Sequence, residues 1–159
     1  MIAVSNTSPL IALDSIGLLD PLPRLFERIQ VPEAVAHELG AKASAAGASV
    51  SERDWLHVVR LRSSGSFDLL IRLVDLGEAE AIALSDQVGA DILLIDDAAG
   101  RQVARQLNIP VAGVLGLLLR MKRKGLIERV SGYVAQLVDG NFYLSAQAVA
   151  TVLAEAGEG

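Results

Sequence analysis

The sequence predicts an α/β domain with a mostly parallel central sheet, and three observations carry that prediction. Short β-rich or continuously apolar runs alternate with helix-patterned segments along the chain, the pattern that yields strand–helix–strand units. The run "DILLI" at 91–95 is mostly apolar at consecutive positions, as expected of a strand covered on both faces. The 159 residues are 52% hydrophobic with mean hydropathy +0.42, which suits one domain with a substantial core rather than a disordered chain.

Taken in order, residues 1–5 predict the first strand. Ser8 is a good helix N-cap and Pro9 suits the first helical position. A helix is therefore expected from there to Gly17. Residues 18–28 read as a second helical stretch disturbed by Pro21 and Pro23, and residues 29–31 as a short strand. Pro32 opens the helix "PEAVAHELG", with Gly40 as its stop. The small, polar stretch "AKASAAGASVSERD" reads as a loop or weak helix, "WLHVVRL" as a strand and residues 63–66 as a turn. Residues 67–76 and 78–88 read as two helices separated by Gly77. After the strand at 91–95 come the helix "DDAAGRQVARQL", the short strand "IPVAG" and a helix at 114–124 ended by Gly125. Two further helices fit 130–138 and 145–156. No internal repeat or linker interrupts the chain, so 1–159 reads as a single domain, with the C-terminal helices in 130–159 as an appended arm.

Composition removes several function classes. With no cysteine, disulfides, thiolate metal sites and cysteine nucleophiles are excluded. A net charge of −5 argues against a generic nucleic-acid-coating protein, which is usually basic. It leaves open a nuclease, whose metal site needs local acids. The N-terminal apolar run has no basic region ahead of it. The longest apolar run, 109–119, falls short of the roughly 20 residues that span a bilayer. A soluble, cytoplasmic protein without a membrane contact is expected.

In a parallel sheet the chemistry sits beyond the carboxyl ends of the strands. Asn6 ends the first predicted strand, and Asp96 and Asp97 end the strand at 91–95. Glu38 lies on the helix after the second strand, and Glu78 and Glu80 begin a later helix. Oxygen donors of this kind bind hard divalent cations such as Mg²⁺ or Mn²⁺. Such an ion serves phosphoryl-transfer hydrolysis. Each residue also has a plain reading. Asn6 can satisfy turn backbone groups. Asp96, Asp97, Glu78 and Glu80 all suit a helix N-terminus, and Glu38 suits a solvated position. Glu78 and Glu80, two residues apart, cannot share a helix face, so at most one points at a common site.

The segments "VSNTSPLIAL", "VPEAVAHEL", "GEAEAIAL" and "LLIDDAAGRQVARQLNIPVAG" occur in that order over nearly the whole chain. In them the chain resembles PIN-domain proteins, and more closely a prokaryotic subfamily of unsettled function. VapC-type toxins of toxin–antitoxin pairs are more distant relatives of that subfamily. The resemblance implies a three-layer α/β/α sandwich. It also implies a metal-dependent ribonuclease site of three or four acids, using Mg²⁺ or Mn²⁺. The family's first acid stands within Asp-Thr-Ser; the matching residues here are Asn6, Thr7 and Ser8. The second acid matches Glu38, the third Glu78 or Glu80, and the last Asp96 with Asp97 beside it. Asn6, Glu38, Glu78 and Asp96 are thus the expected catalytic set, and Glu80 and Asp97 join them as candidate metal ligands. Thr7 and Ser8 are candidate substrate contacts. An amide in place of the first carboxylate removes a charge and weakens metal binding. The alternative is therefore a catalytically degenerate fold that binds RNA or a protein. RNA, an antitoxin protein and a second copy of the chain are the expected partners.

Arg101 and Arg105, one helical turn apart, are candidate phosphate contacts; their plain reading is a solvated helix face. The basic run "RMKRKG" at 120–125 suits a helix C-terminus or a phosphate-contacting patch. His37 and His57 lack metal-type spacing, and the scattered Trp55, Phe142 and Tyr143 form no stacking platform.

Overall fold

Five strands form one sheet in the order β3-β2-β1-β4-β5. They are β1 (Ile2–Ser5), β2 (Arg28–Pro32), β3 (Leu56–Val59), β4 (Ile92–Leu94) and β5 (Val111–Ala112). Every neighbouring pair runs parallel, as the alternation of strands and helices predicts. The computed structural model describes residues 1–41, 50–63 and 65–159. The helices are α1 (Thr7–Ser15), α2 (Glu33–Ala41), α3 (Gly65–Leu70), α4 (Leu76–Val88) and α5 (Ala98–Gln106), then α6 (Val114–Arg123), α7 (Ser131–Asp139) and α8 (Ala146–Glu155).

Alternation along the strands builds the three layers. Ala3, Ile29, Val31, Ile92 and Leu94 belong to one buried cluster, with Leu10 and Leu13 of α1, Val35 and Leu39 of α2, and Leu117, Leu118 and Met121 of α6. Val4, Leu93 and Ile95 belong to the other, with Ile82 and Leu84 of α4 and Ala104 of α5. Successive residues of a strand point to opposite faces. Ala3 and Val4, or Leu93 and Leu94, thus serve opposite layers, and central strands read as continuous apolar runs. Val134 and Leu137 of α7 and Val152 of α8 join the first cluster, so the C-terminal helices share the main core. No helix among the described residues is long and apolar enough to cross a membrane.

The structure corrects several local expectations. Helix α1 begins at Thr7 with Asn6 as its N-cap, so Ser8 and Pro9 lie inside the first turn. The helix expected at 18–28 is only a 3₁₀ turn, Leu22–Arg24; Pro21 and Pro23 remove the N–H groups a longer helix would use. Gly40 does not stop α2, which continues to Ala41. Gly77 does not separate two helices. Asp75 caps α4 by accepting the Glu78 N–H at 2.9 Å, and Gly77 lies in the first turn. A good N-cap outweighs one interior glycine here. Residue 64 of the expected turn, and 42–49 of the expected loop or weak helix, lie outside the described residues.

Candidate functional site

Strands β1 and β4 are neighbours at the point where the strand order reverses. At such a switch point successive crossovers leave in opposite directions and open a crevice at the carboxyl ends. Ser5 pairs with Leu94, and the Asn6 N–H donates to the Leu94 carbonyl at 2.9 Å. Asn6 and Asp96 therefore emerge together. Asn6 is 5% exposed. Its backbone caps α1, but its side chain makes no capping bond. An N-cap amide usually accepts a first-turn N–H. Here Oδ1 is buried without a hydrogen-bond partner.

Asp96 repeats the pattern with a charge. Its Oδ1 accepts the Val114 N–H at 2.9 Å, at the start of α6, while Oδ2 is buried and unpartnered. Burial pushes this carboxyl above its ordinary range, against the opposing pull of the Val114 N–H and the Arg101 guanidinium. A Cβ on Gly113 would overlap Asp96 Oδ1 and lie 3.0 Å from Arg101 Nη1. Glycine at 113 thus lets the carboxylate and the guanidinium approach the backbone closely. Arg101 Nε is likewise buried without a partner.

The two glutamates approach from α2 and α4. Thr7 Oγ1 donates to Glu38 Oε2 at 2.5 Å, and Glu38 Oε1 lies against Gly77, where a Cβ would overlap it. The next residue, Glu78, is 9% exposed. Its carboxyl is pushed up to about 8, first by burial, then by Asp75, then by Asp97. A Cβ on Gly100 would stand 3.2 Å from Glu78 Oε2 and 3.5 Å from Asp97 Oδ2. A run of neighbouring groups thus links Thr7, Glu38, Gly77, Glu78 and Asp97 beside the Asn6–Asp96 strand ends.

Glu80 is engaged elsewhere, and Asp97 has a second, structural role. Glu80 Oε1 accepts the Ala34 N–H at 3.0 Å, meeting a first-turn donor of α2 that the helix itself leaves free. Asp97 Oδ2 accepts the Gly100 N–H at 2.7 Å and caps α5. Ser8 and Arg105 are exposed. Among the described residues no three His, Cys, Asp or Glu side chains gather closely enough to hold a metal ion.

Three features escaped the sequence reading: Asp75 as a neighbour of Glu78, Thr7 as the hydrogen-bond donor to Glu38, and glycines at 77 and 113 that let Glu38 and Asp96 close in. Gly77 carried a signal. Glycine inside a helix costs about 1 kcal/mol relative to alanine, so its presence there asks for a close approach. A family model described as a PIN domain matches residues 2–158. No curated protein matches the chain.

Proposed function

Because this chain belongs to the PIN-domain family, a nuclease-type fold, we propose that it is a divalent-metal-dependent endoribonuclease. One observation carries the reading: Asn6 Oδ1 and Asp96 Oδ2, beyond the ends of adjacent strands, are both buried acceptors with no donor among the described residues. A buried acceptor left without a partner is costly, and oxygen donors of this kind suit Mg²⁺ or Mn²⁺. Asn6 and Asp96 would hold the ion, with Glu38 and Glu78 alongside. When bound, the cation polarises a phosphodiester and lowers the pKa of a water. Thr7 holds Glu38 by its hydroxyl proton. The Val114 N–H fixes one Asp96 oxygen and leaves the other free. Arg101, half-buried beside Asp96, supplies the cationic group for a substrate phosphate.

A specific observation favours a second reading. Asn6 brings no charge, and Arg101 already lowers the need of Asp96 for a counter-cation. The same site would then bind RNA without cutting it. The test is incubation of the protein with labelled single-stranded RNA and Mn²⁺, beside EDTA, Glu38→Ala and Asp96→Asn controls. Cleavage lost in all three controls supports the nuclease. Folded wild-type protein that binds the RNA but leaves it intact overturns the nuclease in favour of the binding reading.

A further inference from the structure

Three of the four cations of the basic run at the end of α6 converge with a cation from a distant part of the chain. Helical spacing places Arg120, Arg123 and Lys124 on one side of the helix end. Together with Arg24 of the 3₁₀ turn they line a groove of about 810 Å³ along β5 and α6. Lys122 of the same run is occupied elsewhere, donating to the Ala156 carbonyl at 2.6 Å and to Glu158 at 2.8 Å.

The groove's charge stands against that of the chain. The whole sequence carries −5, yet the groove holds four side-chain cations and a single acid, Glu27. That carboxylate already faces the N-terminal ammonium at 3.4 Å. Arg123 meets Glu155 only at 4.0 Å across exposed surface, a contact of little worth. Arg24, Arg120 and Lys124 have no ion-pair partner among the described residues. The dipole of α6 explains cations in its own last turn. It does not explain Arg24, which comes from another element.

The groove runs towards the site without including its residues. Its wall includes Ala112 of β5, one residue before Gly113, which packs on Asp96. It continues along α6, whose ten residues span roughly 15 Å. We infer that this groove is a track for the phosphate backbone of single-stranded RNA, leading away from the acidic site along α6. This rests on the ribonuclease reading. Phe26 in its wall is buried, so the track offers charge rather than base stacking, and binding there is sequence-tolerant and salt-dependent. At roughly 3.4 Å per nucleotide, about four nucleotides cover its length.

The test is fluorescence binding of a ten-nucleotide single-stranded RNA and of a dinucleotide, in EDTA, over a salt series. The expected result is that the decamer binds at least about tenfold more tightly than the dinucleotide. Charge reversal is then expected to lower decamer affinity by about tenfold, in R24E and in R120E/K124E alike. The slope of log affinity against log salt is expected to shrink by about 0.7 in R24E and about 1.4 in the double variant. R24E lies off α6, so loss of helix-end charge cannot account for its effect. Unchanged affinity and slope in both folded variants overturn the track. So does a Glu/Leu-rich peptide binding wild type at a tenfold or greater advantage over the decamer, which assigns the groove to a protein partner. Cleavage of the decamer after adding Mn²⁺ is scored separately: its absence overturns the nuclease reading while the R24E slope still judges the track.

Discussion

Asn6 lies one residue beyond β1 and Asp96 two residues beyond β4, and the two differ by one charge. Metal affinity at oxygen sites follows the number of charged ligands. Asn6→Asp is expected to lower the Mn²⁺ concentration needed for thermal stabilisation by on the order of tenfold. An unchanged Mn²⁺ midpoint would remove Asn6 from the ligand set. Glu78 adds a pH signature. Its folded value of about 8 lies above the ordinary 4.5, so the unfolded chain binds fewer protons between those values. The Glu78 contribution to stability is fullest below pH 4.5 and is lost as pH rises through 8. Without metal, Glu78→Gln is expected to flatten the melting-temperature profile across that window and to raise the value at pH 8. A profile that keeps its slope would show that Glu78 ionises normally. Glu80→Ala is expected to cost about 1 kcal/mol through loss of the α2 cap, with the Mn²⁺ response intact. The choice between Glu78 and Glu80 shows how far sequence reached at this scale. Their spacing alone says that only one serves a common site. Which one depends on where the N-terminus of α2 lies, because Ala34 claims Glu80.

At the scale of elements, strand positions were legible because buried parallel strands are written as contiguous apolar runs. Helix starts were less so. Residues 6–9 hold an amide, two hydroxyls and a proline, all compatible with a cap, and the pairing of Ser5 with Leu94 decides where β1 ends and α1 begins. Glycines misled for a related reason. Gly40 and Gly77 read as helix breakers, yet both lie inside helices. Gly77 is there because Glu38 occupies the space of its missing Cβ. Gly77→Ala gains helix propensity and displaces a flexible carboxylate rather than backbone. The expected variant melts no lower than wild type but loses the Mn²⁺ shift and RNA cleavage. Retention of both would show that Glu38 acts without its seat against residue 77.

Across the whole molecule, one buried carboxylate ties the last helices to α6 in addition to their core packing. The Glu158 side chain is 4% exposed and pairs with Lys122 at 2.8 Å. It also accepts the N–H groups of Val130 and Ser131 at the start of α7. Lys122 first, then those N–H groups, hold its carboxyl down to about 2. The folded value lies below the ordinary 4.5, so this contribution is present above pH 4.5 and is lost as pH falls through 2. Glu158→Gln is expected to melt below wild type at neutral pH, with the gap closing between pH 4.5 and 2. A constant gap would mean that packing rather than ionisation sets it. The same fastening divides the basic run at 120–125, which sequence reads as one patch. Sequence by itself determined the α/β class, the parallel sheet and the short list of oxygen donors, because burial period and strand-end position are local properties. Tertiary structure alone decided which donors are free, since that depends on where remote partners fall: Ala34 on Glu80, Val114 and Arg101 on Asp96, and Thr7 on Glu38.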